Sequence, residues 1–493
     1  MRTIVLCFFL TSQVCSGHKF PPWFKFGAAT SSYQIEGAWN VSDKTQHIWD
    51  TYCHSSGNKC SNVNADEGAN SYYQWRDDIQ AAADLGLDYY RFSISWTRIL
   101  PTGFPNKISD DGVRYYNDLI NGLLEKGIEP VVTIYHWELP QSLQDLGGWT
   151  NELIRTWFAD YARVLFSLFA DRVKIWLTIN EPLIMCAAAY SEHTAMAPGV
   201  RDPNYGAFLC AKNTIMAHAH AWRIYDELYK PKYHGKVSLA SQIFWMEGIN
   251  DEVQQLTELA FKLNVMYIYP IFSKRGGWPV EIEEIFVELS KKEGYSSSRL
   301  PPFTDEEREF VKGTYDYFGL NYYTSRLVRP TFDGEKTYWP FRGSPDLGAA
   351  LVPDASWRVS DNVPWLYEYP KGLRHIMEWI KKEFGDIEII ITEVGYGDSG
   401  KEPDHKRIRY HKEHLEQVHL AIQEGIRVTG YIAWSLIDTF EWEAGYTVKF
   451  GLYKVDYNDP SKKRKLRASG LYYADVIKSR DFDIKHKYIS DEL

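Results

Sequence analysis

The chain has 493 residues, 44% of them hydrophobic and 24% charged, with no long polar low-complexity tract. This is the composition of a globular protein with a sizeable core and not of a disordered chain. A formal net charge of −10 argues against a nucleic-acid partner, which calls for clustered Lys and Arg, and points to a small or neutral substrate.

At the N-terminus, Arg2 precedes an apolar run from Ile4 to Leu10 and then small and polar residues through Gly17, which predicts a secretory signal peptide over 1–17 and a mature domain over 18–493. No later stretch approaches the roughly 20 continuous apolar residues of a membrane helix, so no membrane partner is expected. Asn40-Val41-Ser42 is an N-glycosylation sequon, in keeping with a surface loop of a secreted protein. Cleavage of the leader removes Cys7 and Cys15 and leaves four cysteines. Cys53 and Cys60 flank a polar loop and suit a small disulfide in an oxidising compartment. Cys186 and Cys210 lie in apolar, helical-looking stretches and read as small buried thiols. No metal-ligand spacing occurs among them.

Eight short apolar or β-branched runs then follow one another, separated by helical-looking segments: Phe24 to Thr30, Tyr89 to Trp96, Pro130 to Trp137, Val173 to Asn180, Val237 to Trp245, Tyr317 to Tyr323, Glu388 to Gly395 and Val428 to Leu436. Runs such as Val131-Val132-Thr133-Ile134 are apolar without alternation, as strands buried on both faces should be. Alternating strand and helix signals predict an α/β protein with a parallel sheet. Eight units without a linker favour a single (β/α)8 TIM barrel with long βα loops, the excess over about 250 residues residing in insertions. Glu247 to Pro301 and Thr331 to Pro364 look like such insertions. The basic run Lys462 to Arg467 reads as a solvated loop, because the chain around it is acidic. The chain ends Ser490-Asp491-Glu492-Leu493, and three of these four residues match a lumenal retention signal. Two locations in the secretory pathway therefore stand side by side, extracellular and endoplasmic reticulum lumen.

In a TIM barrel the active site lies at the C-terminal ends of the strands. Here those ends carry Gln34, His136, Asn180-Glu181, Tyr323, Glu393 and the segment Trp434 to Trp442, so polar groups converge on one mouth. Two carboxyls across a barrel mouth can protonate a departing glycosidic oxygen and stabilise an oxocarbenium-like centre. A gap of about 5 to 5.5 Å between them means retention, and about 6.5 to 9.5 Å means inversion. Arg91 is placed to pair with Glu393, whose charge in turn raises the pKa of Glu181 and keeps it protonated as the acid. Tryptophan, at 18 residues, supplies apolar faces for a sugar ring, and His136, Gln34 and Glu441 supply hydrogen bonds. Each residue alone has a plainer reading as a salt-bridge partner or core group, and Glu36, Glu138 and Asp438 near the strand ends compete as carboxylates.

The motifs F-K-F-G-A-A-T-S-S-Y-Q-I-E-G (24–37), Y-R-F-S-I-S-W (90–96), Y-H-W-E-L-P (135–140), L-T-I-N-E-P (177–182), G-L-N-Y-Y (319–323), I-T-E-V-G (391–395) and W-S-L-I-D-T-F-E-W (434–442) resemble glycoside hydrolase family 1, over nearly the whole mature chain and most in the style of insect β-glucosidases. The resemblance implies a retaining β-glucosidase that needs no cofactor and acts on a small-molecule β-glucoside or short oligosaccharide. It further implies Glu181 as acid/base, Glu393 as nucleophile, and Arg91 and Tyr323 in contact with the nucleophile. Gln34, His136, Asn180, Glu441 and Trp442 would bind the sugar hydroxyls, above a platform formed by Trp434. The chain departs from the family pattern at Ile179, Val394 and Thr439, where Phe, Asn and Asn are usual, and Val394 bears on sugar preference. Two other readings stand beside this one. A thioglucosidase acting on glucosinolates, of the insect type that keeps both carboxylates, could use Arg326 for a sulfate, although Arg326 reads more simply as a surface ion pair and Ala187 stands where the aphid-like pattern has Lys. A catalytically inactive binding module would typically have lost one carboxylate, and both are present. Nothing in these features fixes an oligomeric state.

Overall fold

The structure, a computed structural model, describes residues 17–57 and 59–484. Nearly all of the predicted leader and the C-terminal Ser490 to Leu493 lie outside the described residues. Eight parallel strands close into a barrel: β1 (Lys25–Ala29), β2 (Tyr89–Ser93), β3 (Glu129–Tyr135), β4 (Ile175–Asn180), β5 (Lys236–Gln242), β6 (Phe318–Asn321), β7 (Ile389–Val394) and β8 (Val428–Trp434), each beside its sequence neighbour and β8 returning to β1. The closing register pairs Ala29 with Trp434. Strands β2, β4 and β7 are buried along their whole length, because a parallel barrel filled inside and covered outside by helices leaves no wet face. Helices such as Asp110–Glu125, Gly206–Leu228 and His405–Gln423 follow the strands and bury apolar stripes against them.

The sequence boundaries need two adjustments. The fifth barrel strand stops at Gln242, and Trp245–Gly248 forms a separate strand in a four-stranded sheet outside the barrel, with Ser325–Pro330, Gly343–Ser344 and Ala349–Val352. The two insertions are thus organised by pairing with each other's flanks and are not bare loops. Gly395, just past β7, permits the close approach of β8: a Cβ there would lie 2.1 Å from the Trp434 carbonyl oxygen.

The cysteines form two disulfides, Cys53–Cys60 as expected and Cys186–Cys210, which corrects the reading of the second pair as thiols. Their separation of 24 residues hides the pairing, since only packing of helix Pro182–Ala189 on helix Gly206–Leu228 brings them together. The basic run is likewise less solvated than its charge suggests: Lys462, Arg464 and Arg467 pair with Glu67, Asp78 and Asp438. Asn40 is exposed. Among the described residues no helix is long and apolar enough to cross a membrane.

Candidate active site

The strand ends place their side chains around one cavity of about 270 Å³, lined among others by Gln34, His136, Asn180, Glu181, Tyr323, Glu393, Trp434, Glu441 and Trp442. Nine of the ten residues expected to make a site therefore share a wall. The tenth, Arg91, is 1% exposed and stands directly behind them.

Arg91 holds the cluster together. Its Nη1 donates to Glu393 Oε1 at 2.5 Å and to the Thr392 carbonyl at 2.9 Å, its Nη2 donates to Asn180 Oδ1 at 2.8 Å, and its Nε donates to Thr133 Oγ1 at 3.1 Å. A fork of five donors on a planar cation suits such multiple attachment. Tyr323 donates its hydroxyl to the other oxygen of Glu393 at 2.8 Å. Both oxygens of this buried carboxylate are thus fixed, which orients it and compensates its burial.

Glu181 follows β4. Its N–H donates to the Ala240 carbonyl at 2.8 Å, extending the pairing with β5 by one residue, and its backbone turns to φ 49° before helix Pro182–Ala189 begins. A left-handed conformation at a non-glycine residue is uncommon and clusters at functional sites. Proline at the first helical position fixes where the helix starts. Asn321 Nδ2 donates to Glu181 Oε1 at 2.7 Å and is itself positioned by Thr392 Oγ1 on its Oδ1 at 2.7 Å. Burial first, and the charge of Glu393 second, raise the pKa of Glu181 to about 8. The same causes hold Tyr323 well above its ordinary value, so it is a neutral donor.

The remaining groups ring the cavity. Asn180 Nδ2 lies 3.3 Å from His136 Nε2, and burial beside Arg91 keeps His136 neutral, well below its usual pKa. With Nε2 assigned as acceptor, the imidazole proton resides on Nδ1, which has no partner among the described residues. Trp434 and Trp442 lie nearly parallel to the His136 ring, at 5.8 and 6.0 Å. Gln34 Nε2 donates to the Phe440 carbonyl at 2.8 Å and to Glu441 Oε1 at 3.3 Å, and Thr439 Oγ1 donates to the same Glu441 oxygen. Burial raises Glu441 to about 7, against the lowering effect of Thr439.

Sequence reasoning missed Asn321, although it ends β6 inside the G-L-N-Y-Y motif; its place as the last strand residue was the available signal. It also missed apolar lining from Ile184, on the helix that follows Glu181, and from Met196, Phe244 and Trp365, which stand on loops without a readable pattern. The competing carboxylates are engaged elsewhere. Glu36 pairs with Arg98 at 2.9 Å, Asp438 with Arg467 at 2.7 Å, and Glu138 accepts from Ser32. Arg326 is no surface ion pair. It is buried, donates to Thr324 Oγ1 (2.9 Å) and to the Ser325 and Trp365 carbonyls (2.7 and 2.8 Å), and among the described residues it has no carboxylate partner within ion-pair distance. Ile179 and Val394 are buried but alternate away from the cavity that Asn180 and Glu393 face. Among the described residues no cluster of side chains could hold a metal.

Comparison with known proteins gives a consistent result. The family model described as Glycosyl hydrolase family 1 matches residues 16–482. Myrosinase 1 of Brevicoryne brassicae is 40% identical over 93% of this chain and 98% of its own, and the human Cytosolic beta-glucosidase is 37% identical over 94% and 99%. A rice β-glucosidase solved in a covalent complex with Glc superposes with a TM-score of 0.84 at 34% identity, covering 93% of this chain and 99% of its own.

Proposed function

From the premise that the chain belongs to glycosyl hydrolase family 1 and is a retaining β-glycosidase, we propose that Glu393 is its nucleophile and Glu181 its acid/base, acting on terminal nonreducing β-D-glucosyl residues of O-glucosides. The observation that carries this is the unequal environment of the two buried carboxyls. Glu393 is held by Arg91 and Tyr323 on both oxygens, whereas Glu181 has one amide donor and a raised pKa. One is built to stay an anion and the other to keep a proton.

In the first step a Glu393 oxygen bonds to the anomeric carbon, the glycosidic C–O bond breaks, and the proton of Glu181 passes to the departing oxygen. Glu393 is then a neutral ester, so the charge that raised Glu181 is gone and Glu181 becomes a carboxylate able to act as base. It takes a proton from water as the water oxygen replaces Glu393 on the anomeric carbon, with two inversions giving net retention. Gln34, His136, Asn180, Glu441 and Trp442 bind the hydroxyls of the glucosyl unit, and Trp434 packs beneath it.

O-glucosides are favoured over anionic thioglucosides because the Arg326 donors are turned to Thr324, Ser325 and Trp365 and position 187 is an alanine. A chain with two disulfides and an exposed sequon at Asn40 suits the secretory pathway, where removal of residues 1–17 leaves the domain from 18 onward and Asn40 carries a glycan. The test is hydrolysis of an aryl β-glucoside followed by NMR. The expected first product is the β-anomer of glucose; α-anomer as first product, or turnover of a glucosinolate alone, contradicts the reading.

A further inference from the structure

Past β1, the single helical turn Ser32–Ile35 carries Gln34 to the cavity. Ser31 precedes this turn in extended conformation, at the position where a serine hydroxyl ordinarily accepts a bond from the second or third N–H of a helix. It makes no such cap. Its hydroxyl is spent on the glutamine side chain instead, donating to Gln34 Oε1 at 2.7 Å. Ser31 is fully buried and stands outside the cavity lining, so it reaches a sugar only through that amide. Its neighbour Ser32 is engaged elsewhere, with its N–H on Ser93 Oγ at 2.7 Å and its hydroxyl on Glu138.

The partners of Gln34 tell the two ends of its amide apart. The end that lies 2.8 Å from the Phe440 carbonyl is the nitrogen, because a carbonyl brings no proton and an oxygen placed there would meet a second acceptor. Oε1 therefore faces Ser31, and Ser31 is the donor. The two backbones are joined separately, Phe440 N–H donating to the Gln34 carbonyl at 2.9 Å, so the helical turn and the eighth-strand loop stay together whatever the side chain does. The terminal torsion of glutamine is soft. One bond at Nε2 leaves the amide free to swing about it, and a second at Oε1 fixes its plane. Nε2 spends its other N–H on Glu441 Oε1 at 3.3 Å, while Oε1, with two lone pairs, keeps one to offer. Held in this way, the amide presents an acceptor to a hydroxyl.

We infer that Ser31 is a positioning residue for recognition of the glucosyl unit: its hydroxyl fixes the Gln34 amide so that Oε1 accepts from one sugar hydroxyl. The inference rests on the retaining β-glucosidase reading, with Gln34 in the sugar site, and it adds a residue that itself touches no substrate. Removing the Ser31 hydroxyl leaves the backbone pairing and both catalytic carboxyls in place. What it takes away is part of the preference for a sugar that carries the hydroxyl over one that lacks it.

The test measures kcat/KM of the wild type, Ser31→Ala, Gln34→Ala and the double variant on an aryl β-glucoside and on its 3-, 4- and 6-deoxy forms, whose missing hydroxyls lie away from the reacting carbon. In Ser31→Ala the penalty for deleting the hydroxyl received by Gln34 shrinks by roughly fivefold or more, the coupling of one hydrogen bond, while the penalties at the other positions stay as in the wild type. In the Gln34→Ala background the same serine substitution changes no penalty. The alkaline limb of kcat/KM stays where it is in Ser31→Ala. An equal fall on all four substrates shows a merely structural serine and overturns the inference. So do unchanged penalties at every position, an undiminished effect in the Gln34→Ala background, or a displaced alkaline limb. Failure of the wild type on the aryl glucoside itself overturns the glucosidase reading beneath it.

Discussion

Two buried clusters of charge stand near the same strand ends, and only one has room for a substrate. In the first, Glu181 and Glu393 face a cavity of about 270 Å³. In the second, Glu36, Arg98, Glu138, His47, Asp50 and Lys44 surround a space of about 10 Å³. Glu138 is raised to about 8 by burial and by the charge of Glu36, as Glu181 is raised to about 8 by burial and by Glu393. A displaced carboxyl pKa therefore marks burial beside another carboxylate and not chemistry as such. What separates the pair is access. Glu138 accepts from Ser32, which also donates its backbone N–H to Ser93 Oγ at 2.7 Å, so it ties the third-strand loop to the short helix that carries Gln34. The first cluster opens on a cavity; the second braces the helix whose Gln34 lines that cavity.

Substitution should expose this contrast most sharply at Glu393. Glu393→Ala is expected to lower kcat by roughly 10⁴-fold or more, with added azide restoring turnover and giving inverted product by NMR. Next in size is Glu181→Ala, which should slow glycosides with poor leaving groups by roughly 10² to 10⁴-fold and activated aryl glycosides far less at the glycosylation step; steady-state rates on a leaving-group series read this out. The wild-type kcat/KM should fall on the alkaline side as Glu181, raised to about 8, loses its proton, and this limb should vanish in the variant.

Glu138→Gln should leave that limb in place while altering stability. The folded pKa of Glu138 is raised from 4.5 to about 8, so between these values the folded state holds a proton that the unfolded state has released. Its contribution to stability is full below 4.5 and is lost as pH rises towards 8. Glu138→Gln, neutral throughout, should flatten the denaturation midpoint over that window; a displaced alkaline limb in its rate profile would erase the distinction between the two clusters. The smallest effect belongs to Thr439→Ala, which removes one donor from Glu441 Oε1 while Gln34 still donates to that oxygen. KM for the aryl glucoside should rise roughly 5-fold, the equivalent of about 1 kcal/mol.

The barrel was legible because its strands are short apolar runs bounded by turn residues and separated by helical segments, and all eight appear with ends displaced by a few residues. The strand ends also identified the mouth, since the alternation that sends Asn180 and Glu393 inward sends Ile179 and Val394 outward. What could not be read depends on contacts between distant segments. The Cys186–Cys210 bridge needs two helices to pack. The Arg326 environment needs residues 324, 325 and 365 to meet around a guanidinium. The departure of Trp245 from the fifth strand reflects pairing with Ser325, 80 residues on, and no local propensity registers that. The apolar lining of the mouth comes from one short helix, through Ile184, and from several loops with no periodic signal.

The central claim is that Glu393 alone bonds to the sugar. It is tested most directly by trapping the enzyme with an activated 2-deoxy-2-fluoro β-glucoside, whose glycosyl-enzyme turns over slowly, and locating the added mass by peptide mass spectrometry. The account predicts one fluoroglucosyl group on the peptide containing Ile391-Thr392-Glu393, absent after Glu393→Ala. A label on Glu181, Glu441 or Glu138, or inactivation with no covalent adduct, would contradict it.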